Sequence, residues 1–593
     1  MRRLTNISFG KIAVCAVYAW MLLILLAKQC VLQKGYSLSM WPLMTYYLSM
    51  GLRPGVLLPV LGSMLTAFCK FPVIGPVLVL CSLAALSAAT SKLSGNTILT
   101  HLPALGIFLF ISGMDYSIYL MRSPGIFFSQ TIGLALSILT VAGEQDVSGA
   151  KARYLYVALA LLVGYPLIGA YALVALCGIM LRALLQGKWK YASFALGCGI
   201  VLPLAYNELI FTHIDLAYTF VSGFPYMDFL HNGVRFIPLA AAVAAVLAAA
   251  VLPSGGSLNG RWICSAFLAA ALPGLLLLSY TDRNFHLELR MEQELERNRW
   301  DNVLDLALRT KKPTRVIVMY RNIALMRSGR LCDRMFTYPH ETVTLAAASD
   351  FVSQSMVSAM PVFFYNGLLN FSARWAFEES MIWQRSIESY KYLATAALFG
   401  GYDHPALVEK YLDVIEENPF ERKWVAQYRR YLENPSLLED NEDYRYARVL
   451  SDYEAMKFSS SAVVENTLTV HYLDQKHPHG VMLQLCLATA MMVKDIDAFW
   501  RYFDLLGEEG PVVPVHVGEA ALLFASISGN QRMFDAAVHR LGGWQAPTVR
   551  RFASFEKDAS AVRDAAVAKE YFQKQYGDTY WYYCYYVKNV TTD

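Results

Sequence analysis

The sequence predicts an all-α protein in two parts. Residues 1–281 are predicted as a multi-span helical membrane domain, and residues 282–593 as a soluble α-helical repeat solenoid similar to tetratricopeptide repeats. Three observations favour this fold class. Apolar runs long enough to cross a bilayer recur through the first half. Charged residues are concentrated in the second half, and there the apolar residues recur with the 3.6-residue period of amphipathic helices.

The charge distribution separates the two parts. Of the 593 residues, 55% are hydrophobic and 17% are charged, and the formal net charge is +4. Residues 1–281 hold 16 of the 51 Lys and Arg and 6 of the 47 Asp and Glu, which leaves 35 basic and 41 acidic side chains in the rest. Because Lys and Arg set the orientation of membrane proteins, the basic excess of the apolar half is no sign of nucleic-acid binding.

Nine apolar stretches are predicted as membrane spans, since a helix needs about 20 apolar residues to cross. One of them, residues 154–186, is predicted as a single kinked or broken span around Gly164 to Pro166, because each half is too short to cross alone. The other stretches are residues 12–32, 54–70, 72–92, 98–114, 124–142, 191–212, 234–252 and 262–280.

The positive-inside rule sets the orientation. Nine spans with the N-terminus inside place nine Lys and Arg on the inner face and six on the outer face. Arg182 and Asp115 are then inside, Glu144 and Arg235 are outside, and the C-terminal domain lies outside the cytoplasm. Residues 36–55, which are rich in aromatic residues and Met, are predicted as an amphipathic helix at the outer interface.

The second half is predicted as a series of helix pairs separated by Gly, Asn, Asp and Pro. Such a pair cannot bury its apolar face alone, so neighbouring pairs are expected to stack into a solenoid. Strand-like patterns are confined to RVIVMY at 315–320 and to the aromatic run at 580–586. The aromatic run is expected to pack on the last repeat, since aromatic rings bury large areas. The acidic run at 437–446 is expected to be a surface connection.

Five stretches carry a resemblance to a known family: residues 52–68, 164–173, 282–307, 313–336 and 373–378. In them the chain resembles an uncharacterised family of polytopic membrane proteins of Bacteroidetes-type bacteria that end in a tetratricopeptide-like region. The resemblance implies the two-part architecture and a multi-pass protein of the bacterial inner membrane. In that setting the nine predicted spans place the C-terminal domain in the periplasm. It implies no reaction.

A looser likeness is to multi-span glycosyltransferases that use lipid-linked sugars. Those enzymes carry an acidic catalytic residue in their first outer loop. The first Asp or Glu of this chain is Asp115, so that residue has no counterpart here.

The candidate site residues lie between positions 208 and 231. Acidic side chains in or beside membrane spans are costly, and they therefore mark candidate functional sites. The candidates for a polar site that binds a lipid-linked or small anionic substrate, next to Arg235, are Asp215, Asp228, Glu208, His213 and His231. The alternative is that these residues are ordinary interfacial loop groups, with Glu208 paired inside the helix bundle.

No metal or cofactor site is predicted. His471, His477 and His479 could bind zinc, but a solvated turn around Pro478 explains them equally well. The motifs of nucleotide-binding folds, serine hydrolases, zinc proteases and kinases are missing. Whether the chain is an enzyme stays open.

Two functions from different classes are therefore predicted. The first is an interaction protein, in which a membrane domain carries repeats that bind a protein partner in cell-envelope assembly. The second is a glycosyltransferase-like enzyme or a transporter acting on a lipid-linked glycan, because nine spans exceed what an anchor needs. The expected partners are the lipid bilayer, a protein on the repeats and, for the second function, a lipid-linked glycan; no nucleic acid is expected.

Overall fold

The computed structural model divides into two compact units. The first unit comprises Met1–Thr281 with Glu379–Tyr390 and Asp413–Val425, and the second comprises Asp282–Glu378, Lys391–Leu412 and Ala426–Asp593. The structure describes residues 2–41, 53–95, 98–116, 118, 125–225, 233–252, 274, 279–340, 358–382, 385–401, 405–454, 464–509, 512–562 and 565–587.

Residues 2–281 form helices wherever an element longer than a turn is described. Their bounds are α1 (Arg2–Ala27), α2 (Gln29–Ser37), α3 (Leu57–Thr66), α4 (Ile74–Ser94), α5 (Leu102–Ser112), α6 (Ile126–Asp146), α7 (Ala150–Ile168), α8 (Ala170–Leu185), α9 (Trp189–Leu209), α10 (Leu216–Thr219) and α11 (Ile237–Val251). Helices α4, α6, α7, α9 and the segment Val234–Val251 are long and apolar enough to cross a membrane, and the pair α1 and α2, bent by 59°, would make a sixth.

A buried carboxylate fixes the direction of four helices in the first unit. Glu144, at the end of α6, is 1% exposed and forms an ion pair with Arg182 near the end of α8. It also accepts a hydrogen bond of 3.0 Å from the Tyr191 hydroxyl and lies 3.9 Å from the guanidinium of Arg153. The start of α7 and the end of α8 therefore lie together, so α7 and α8 run in opposite directions.

The prediction of one kinked span over residues 154–186 is wrong. Pro166 lies inside α7, and the chain reverses at Gly169, whose φ of +57° favours glycine. A Cβ at Gly169 would approach the Ser222 carbonyl oxygen to 2.2 Å, so the reversal also needs a residue without a side chain. The predicted placement of Glu144 and Arg182 on opposite faces is wrong for the same reason.

The stretch at 54–70 contains one short helix that packs on the start of α6, where a Cβ at Gly62 would approach the Gly125 carbonyl oxygen to 2.9 Å. Its beginning is held near the end of α7, because the Gly55 amide donates to the Pro166 carbonyl oxygen at 2.9 Å. Its end is held near α2, because the Gln33 side chain donates to the Lys70 carbonyl oxygen at 3.1 Å. The beginning of the stretch and the middle of its helix thus lie opposite Glu144. Most of the predicted span 262–280 and the interfacial helix predicted at 36–55 fall outside the described residues.

Two segments of the C-terminal half belong to the first unit through buried ion pairs. Lys34 lies 2.7 Å from Glu388, and both side chains are about 5% exposed or less. Glu421, 2% exposed, lies 2.8 Å from the Lys70 ammonium and accepts a hydrogen bond from the Tyr36 hydroxyl. Because an unpaired buried charge is strongly destabilising, these contacts hold residues 379–390 and 413–425 in the first unit.

The rest of the chain is also helical, which confirms the predicted all-α fold class for the described residues. Consecutive helices pack as pairs, for example α12 on α13 and α22 on α23, while their stacking into a solenoid stays a prediction. The bounds are α12 (Arg283–Leu295), α13 (Trp300–Ala307), α14 (Arg315–Arg327), α15 (Leu331–Arg334), α16 (Leu369–Ile382), α17 (Ile387–Phe399), α18 (Pro405–Glu416), α19 (Arg422–Glu433), α20 (Glu442–Ser451), α21 (Val464–Leu473), α22 (Gly480–Val493), α23 (Ile496–Glu509), α24 (Val515–Ser528), α25 (Gln531–Arg540), α26 (Pro547–Ala561), α27 (Ala565–Tyr576) and α28 (Tyr580–Tyr586).

Two strand-like sequence patterns in the second unit form helices. RVIVMY begins α14, and the aromatic run 580–586 forms α28, so neither pattern is a strand. The acidic run 437–446 lies mostly at the surface, as expected, and forms a short 3-10 helix and the start of α20. There Arg327, 1% exposed in its side chain, contacts Glu442 and Asp443 at 3.1 and 2.8 Å.

The aromatic run does pack on the preceding helices, as predicted. Trp581 is fully buried, and its indole nitrogen donates to the Glu519 carbonyl oxygen at 2.9 Å. The Tyr580 backbone amide donates to the Glu519 carboxylate at 2.8 Å, and its hydroxyl donates to the Met491 carbonyl oxygen at 3.1 Å. Helix α28 therefore closes the second unit at its C-terminal end.

Replacing Trp581 by alanine is expected to destabilise α24 and α28 by about 3–5 kcal/mol, because a large buried ring and one hydrogen bond are lost. Hydrogen exchange of α24 peptides, followed by mass spectrometry on the detergent-solubilised chain, measures the effect. Tyr585→Ala is the matched control, since Tyr585 is 56% exposed. This substitution should lower the free energy of unfolding by less than about 1 kcal/mol. Equal effects of the two substitutions would contradict this packing.

Candidate functional site

A cavity in the second unit is a concave site within the part of the chain that the structure describes. Its walls come from α14, α21 and α22, and its volume is about 70 Å³. Most of the lining is aliphatic, with a few polar side chains, which is the usual character of a ligand site. The lining includes Arg315, Met319, Asn322, Ile323, Leu331, Asn366, Glu465, Leu468, Thr469, Tyr472, Leu485, Ala488, Thr489, Met492 and Val493.

Local sequence explains why Arg315 stands at the start of a helix. The Thr314 hydroxyl accepts a hydrogen bond of 3.4 Å from the Ile317 amide and so caps the first turn of α14. A cation in a first turn is unfavourable next to the positive end of the helix dipole. Arg315 therefore needs an acidic partner.

Glu465 is that partner. It lies in the first turn of α21, where the helix dipole favours a carboxylate. The Arg315 Nε atom donates to Glu465 Oε2 at 2.8 Å, and Nη2 donates to Oε1, which gives a bidentate pair. Burial opposes the charged form of Arg315, but the Glu465 carboxylate more than offsets it and raises the pKa of Arg315 above its ordinary value. The pair adds no net charge to the cavity.

The amide side chains of the cavity are fixed by hydrogen bonds. Asn366 accepts from the Tyr472 hydroxyl at 2.7 Å and donates to the Val362 carbonyl oxygen at 2.7 Å. Asn322 accepts from the Arg321 guanidinium at 2.8 Å. Thr489 is 3% exposed and lines the cavity. The polar lining is therefore held in place before any ligand arrives, which lowers the entropic cost of binding.

Two further basic groups are buried near Arg315. Burial and the Arg315 guanidinium lower the pKa of Arg321 to about 9. Burial and the Arg321 guanidinium lower the pKa of His340 well below its ordinary value, so that His340 is neutral at physiological pH. Arg321 lies 5.6 Å from the Tyr338 ring centre, a cation–π contact that helps to offset its burial.

The structure describes three of the five candidate site residues predicted from sequence. Asp215 is exposed and caps α10, since its carboxylate accepts a hydrogen bond of 2.9 Å from the Ala217 amide. His213 and Glu208 are exposed, so the alternative in which Glu208 is paired inside the bundle is wrong. Asp228 and His231 lie outside the described residues. A substrate site formed by these five residues stays a prediction.

Arg235, which was expected beside those residues, has another partner. Its guanidinium lies 2.5 Å from Asp115 and donates to the Gly113 carbonyl oxygen at 3.0 Å. Lys28 approaches the same end of the unit, where its ammonium donates to Ser279 Oγ at 2.9 Å and to the Tyr280 carbonyl oxygen at 2.7 Å. The predicted placement of Asp115 and Arg235 on opposite faces is wrong.

The three histidines form no metal site within the part of the chain that the structure describes, where no cluster of three or more His, Cys, Asp or Glu could hold an ion. The His479 ring lies 2.5 Å from the Tyr453 hydroxyl. That contact supports the turn rather than the zinc interpretation.

Comparison with protein families gives a match over residues 6–587 to a family described as a family of unknown function, DUF6057. The chain belongs to this family. Neither the curated proteins nor the solved structures contain a significant match to it. Membership of DUF6057 confirms the predicted relation to an uncharacterised family, while the bacterial group and the tetratricopeptide-like repeats stay predictions.

Sequence reasoning missed the cavity of this DUF6057 protein. The two residues of its ion pair are 150 positions apart, and RVIVMY suggested a strand instead of a capped helix. The one available signal was the order Pro313, Thr314, Arg315, in which Thr precedes a helical run as a cap.

We expect Arg315→Met alone to destabilise the second unit by about 1–3 kcal/mol, because it leaves the Glu465 carboxylate, which is only 15% exposed, without its partner. The double variant Arg315→Met/Glu465→Leu should recover most of this loss, since it removes both charges. Hydrogen exchange of α14 and α21 peptides measures both effects. If the stability lost in the double variant equalled the sum of the losses in the two single variants, the two groups would not be coupled.

Proposed function

We propose that this DUF6057 member is a bacterial inner-membrane protein whose helical second unit binds a protein partner in assembly of the cell envelope. The observation that carries the proposal is the division of roles between the units. The open, preorganised cavity lies in the second unit, whereas buried carboxylates of the first unit are occupied by ion pairs. Such pairs suit a scaffold better than a catalytic centre.

The first unit supports the scaffold role. Glu144 contacts Arg182 and Tyr191, Glu388 contacts Lys34, and Glu421 contacts Lys70 and Tyr36. A general base needs a lone pair that can reach its substrate. The three buried carboxylates use their lone pairs in these contacts and are poorly placed to accept a proton from a substrate. A rigid bundle of many helices can hold Glu379–Tyr390 and Asp413–Val425 in defined positions, which one membrane span could not do.

From the helix directions we propose a revised set of nine spans. Helix α9 begins beside Glu144, so its end and the following Arg235 lie at the opposite end of the unit. Nine crossings result if α7 and α8 each cross and residues 54–70 do not. They are α1 with α2, then α4, α5, α6, α7, α8, α9, α11 and the sequence-predicted span 262–280.

This arrangement satisfies the positive-inside rule better than the arrangement predicted from sequence. Ten Lys and Arg then share the face of the N-terminus, and five lie on the other face, with Lys28 inside the first span left out of this count as of the earlier one. With the N-terminus inside, the chain leaves the ninth span on the outer side. We therefore propose that the second unit lies in the periplasm.

Cysteine labelling tests the proposed orientation. We expect Thr212→Cys to react with a membrane-impermeant maleimide in cells whose outer membrane is permeabilised, because residue 212 lies exposed at the outer end. Lys190→Cys, exposed beside Glu144 at the inner end, should react only after lysis. The unsubstituted chain controls for the native cysteines. Labelling of Lys190→Cys in unlysed cells would overturn the orientation.

Photo-crosslinking tests the proposed partner. A photoreactive amino acid at Val470, which is 59% exposed on α21 next to the cavity, should give a discrete protein adduct in living cells. The same residue at Ile527, which is 50% exposed on α24, is the matched control and should not give that adduct. If both positions or neither position gave it, the second unit would have no localised protein-binding surface there.

A further inference from the structure

We propose that the cavity between α14, α21 and α22 binds one aliphatic side chain, of leucine or methionine size, from an extended peptide of the partner. This inference rests on the proposed function and adds to it the chemistry of the bound segment. The size of the cavity, its apolar wall and the polar atoms of its lining favour this occupant.

Size favours a small aliphatic group. The cavity volume is about 70 Å³, and an apolar protein cavity of about 150 Å³ binds benzene, which has six heavy atoms. In proportion, about 70 Å³ suits about three or four heavy atoms, which matches the four carbons of a leucine side chain or the four heavy atoms of a methionine side chain. A tryptophan side chain, with about ten heavy atoms, is too large.

The wall has the chemistry of an aliphatic site. Met319, Ile323, Leu485 and Met492 line it, and methionine side chains adapt to ligands of slightly different shape. No aromatic ring other than Tyr472 contributes to the described lining. An apolar side chain that enters this wall gains about 0.8 kcal/mol for each buried CH₂ group.

The polar part of the lining favours a peptide backbone. Two of the three guanidinium nitrogens of Arg315 bind Glu465, and the third nitrogen is a further donor. The Asn322 amide nitrogen lies 3.6 Å from the Met492 sulfur, which is a weak acceptor. With the Thr489 hydroxyl, the polar lining offers several donors, and its ion pair carries no net charge. Backbone carbonyl oxygens on either side of an aliphatic residue match these donors, whereas an acidic side chain would meet the Glu465 carboxylate.

Binding of capped amino acids to the full-length protein in detergent tests the inference. The probes are N-acetyl-leucine amide, N-acetyl-alanine amide and N-acetyl-aspartic acid amide, and saturation-transfer NMR with titration measures their binding. We expect the leucine probe to bind at least about tenfold more tightly than the alanine probe, because methylene groups of the ligand are buried. Equal binding of all three probes would overturn the inference.

Two variants of the cavity wall and one surface control test whether the probes bind in this cavity. Ala488→Leu adds volume inside the wall and should abolish binding of the leucine probe, whereas Ala536→Leu, at an exposed position of α25, should leave it unchanged. Met492→Ala enlarges the cavity and should make N-acetyl-phenylalanine amide the preferred probe, an outcome that misfolding could not produce. If the leucine probe bound Ala488→Leu and the unsubstituted chain equally, the site would lie elsewhere.

The proposed function and this inference fail in different ways. If the Val470 adduct forms in cells and persists in Ala488→Leu, the partner binds without this cavity and only the inference is wrong. If the leucine probe binds as expected but no adduct forms at Val470, the cavity is a ligand site and the protein-partner proposal is wrong.

Discussion

The burial of the Glu144 carboxylate is the constraint on which the arrangement of the first unit depends. A charged group that is 1% exposed must have partners, and Glu144 has them in Arg182 and Tyr191. These residues come from the ends of different helices, so their meeting fixes the reversal at Gly169. The reversal then decides how many helices cross the unit.

The second unit depends on buried charge in a similar way. Arg315 and Glu465 join α14 to α21, Arg327 joins α14 to α20, and the Glu519 carboxylate holds the first turn of α28. Each contact joins helices that are distant in sequence. Apolar burial supplies most of the stability of such a helical unit, but it is nearly non-directional. The ion pairs and hydrogen bonds add the directional contacts that favour one arrangement of similar amphipathic helices.

Sequence periodicity predicted the helices well and their partners poorly. The apolar runs from residue 2 to residue 251 became helices, and the pattern after Asp282 became helix pairs, because both features depend on neighbouring residues. RVIVMY was misleading because a short apolar run fits a strand and a buried helix equally. The site residues expected between 208 and 231 were chosen by residue type, and Arg235 instead contacts Asp115, which lies 120 positions earlier in the chain.

By itself the sequence determined that the chain is all-helical and that its first half is apolar and basic. These properties follow from composition and from the period of the apolar residues. Only the tertiary structure decided that residues 154–186 form two antiparallel helices, that α14 begins after Thr314, and that Arg315 and Glu465 border a cavity. The physical reason is that a buried charge must find its partner in space, and that partner can be 38 or 150 positions away along the chain.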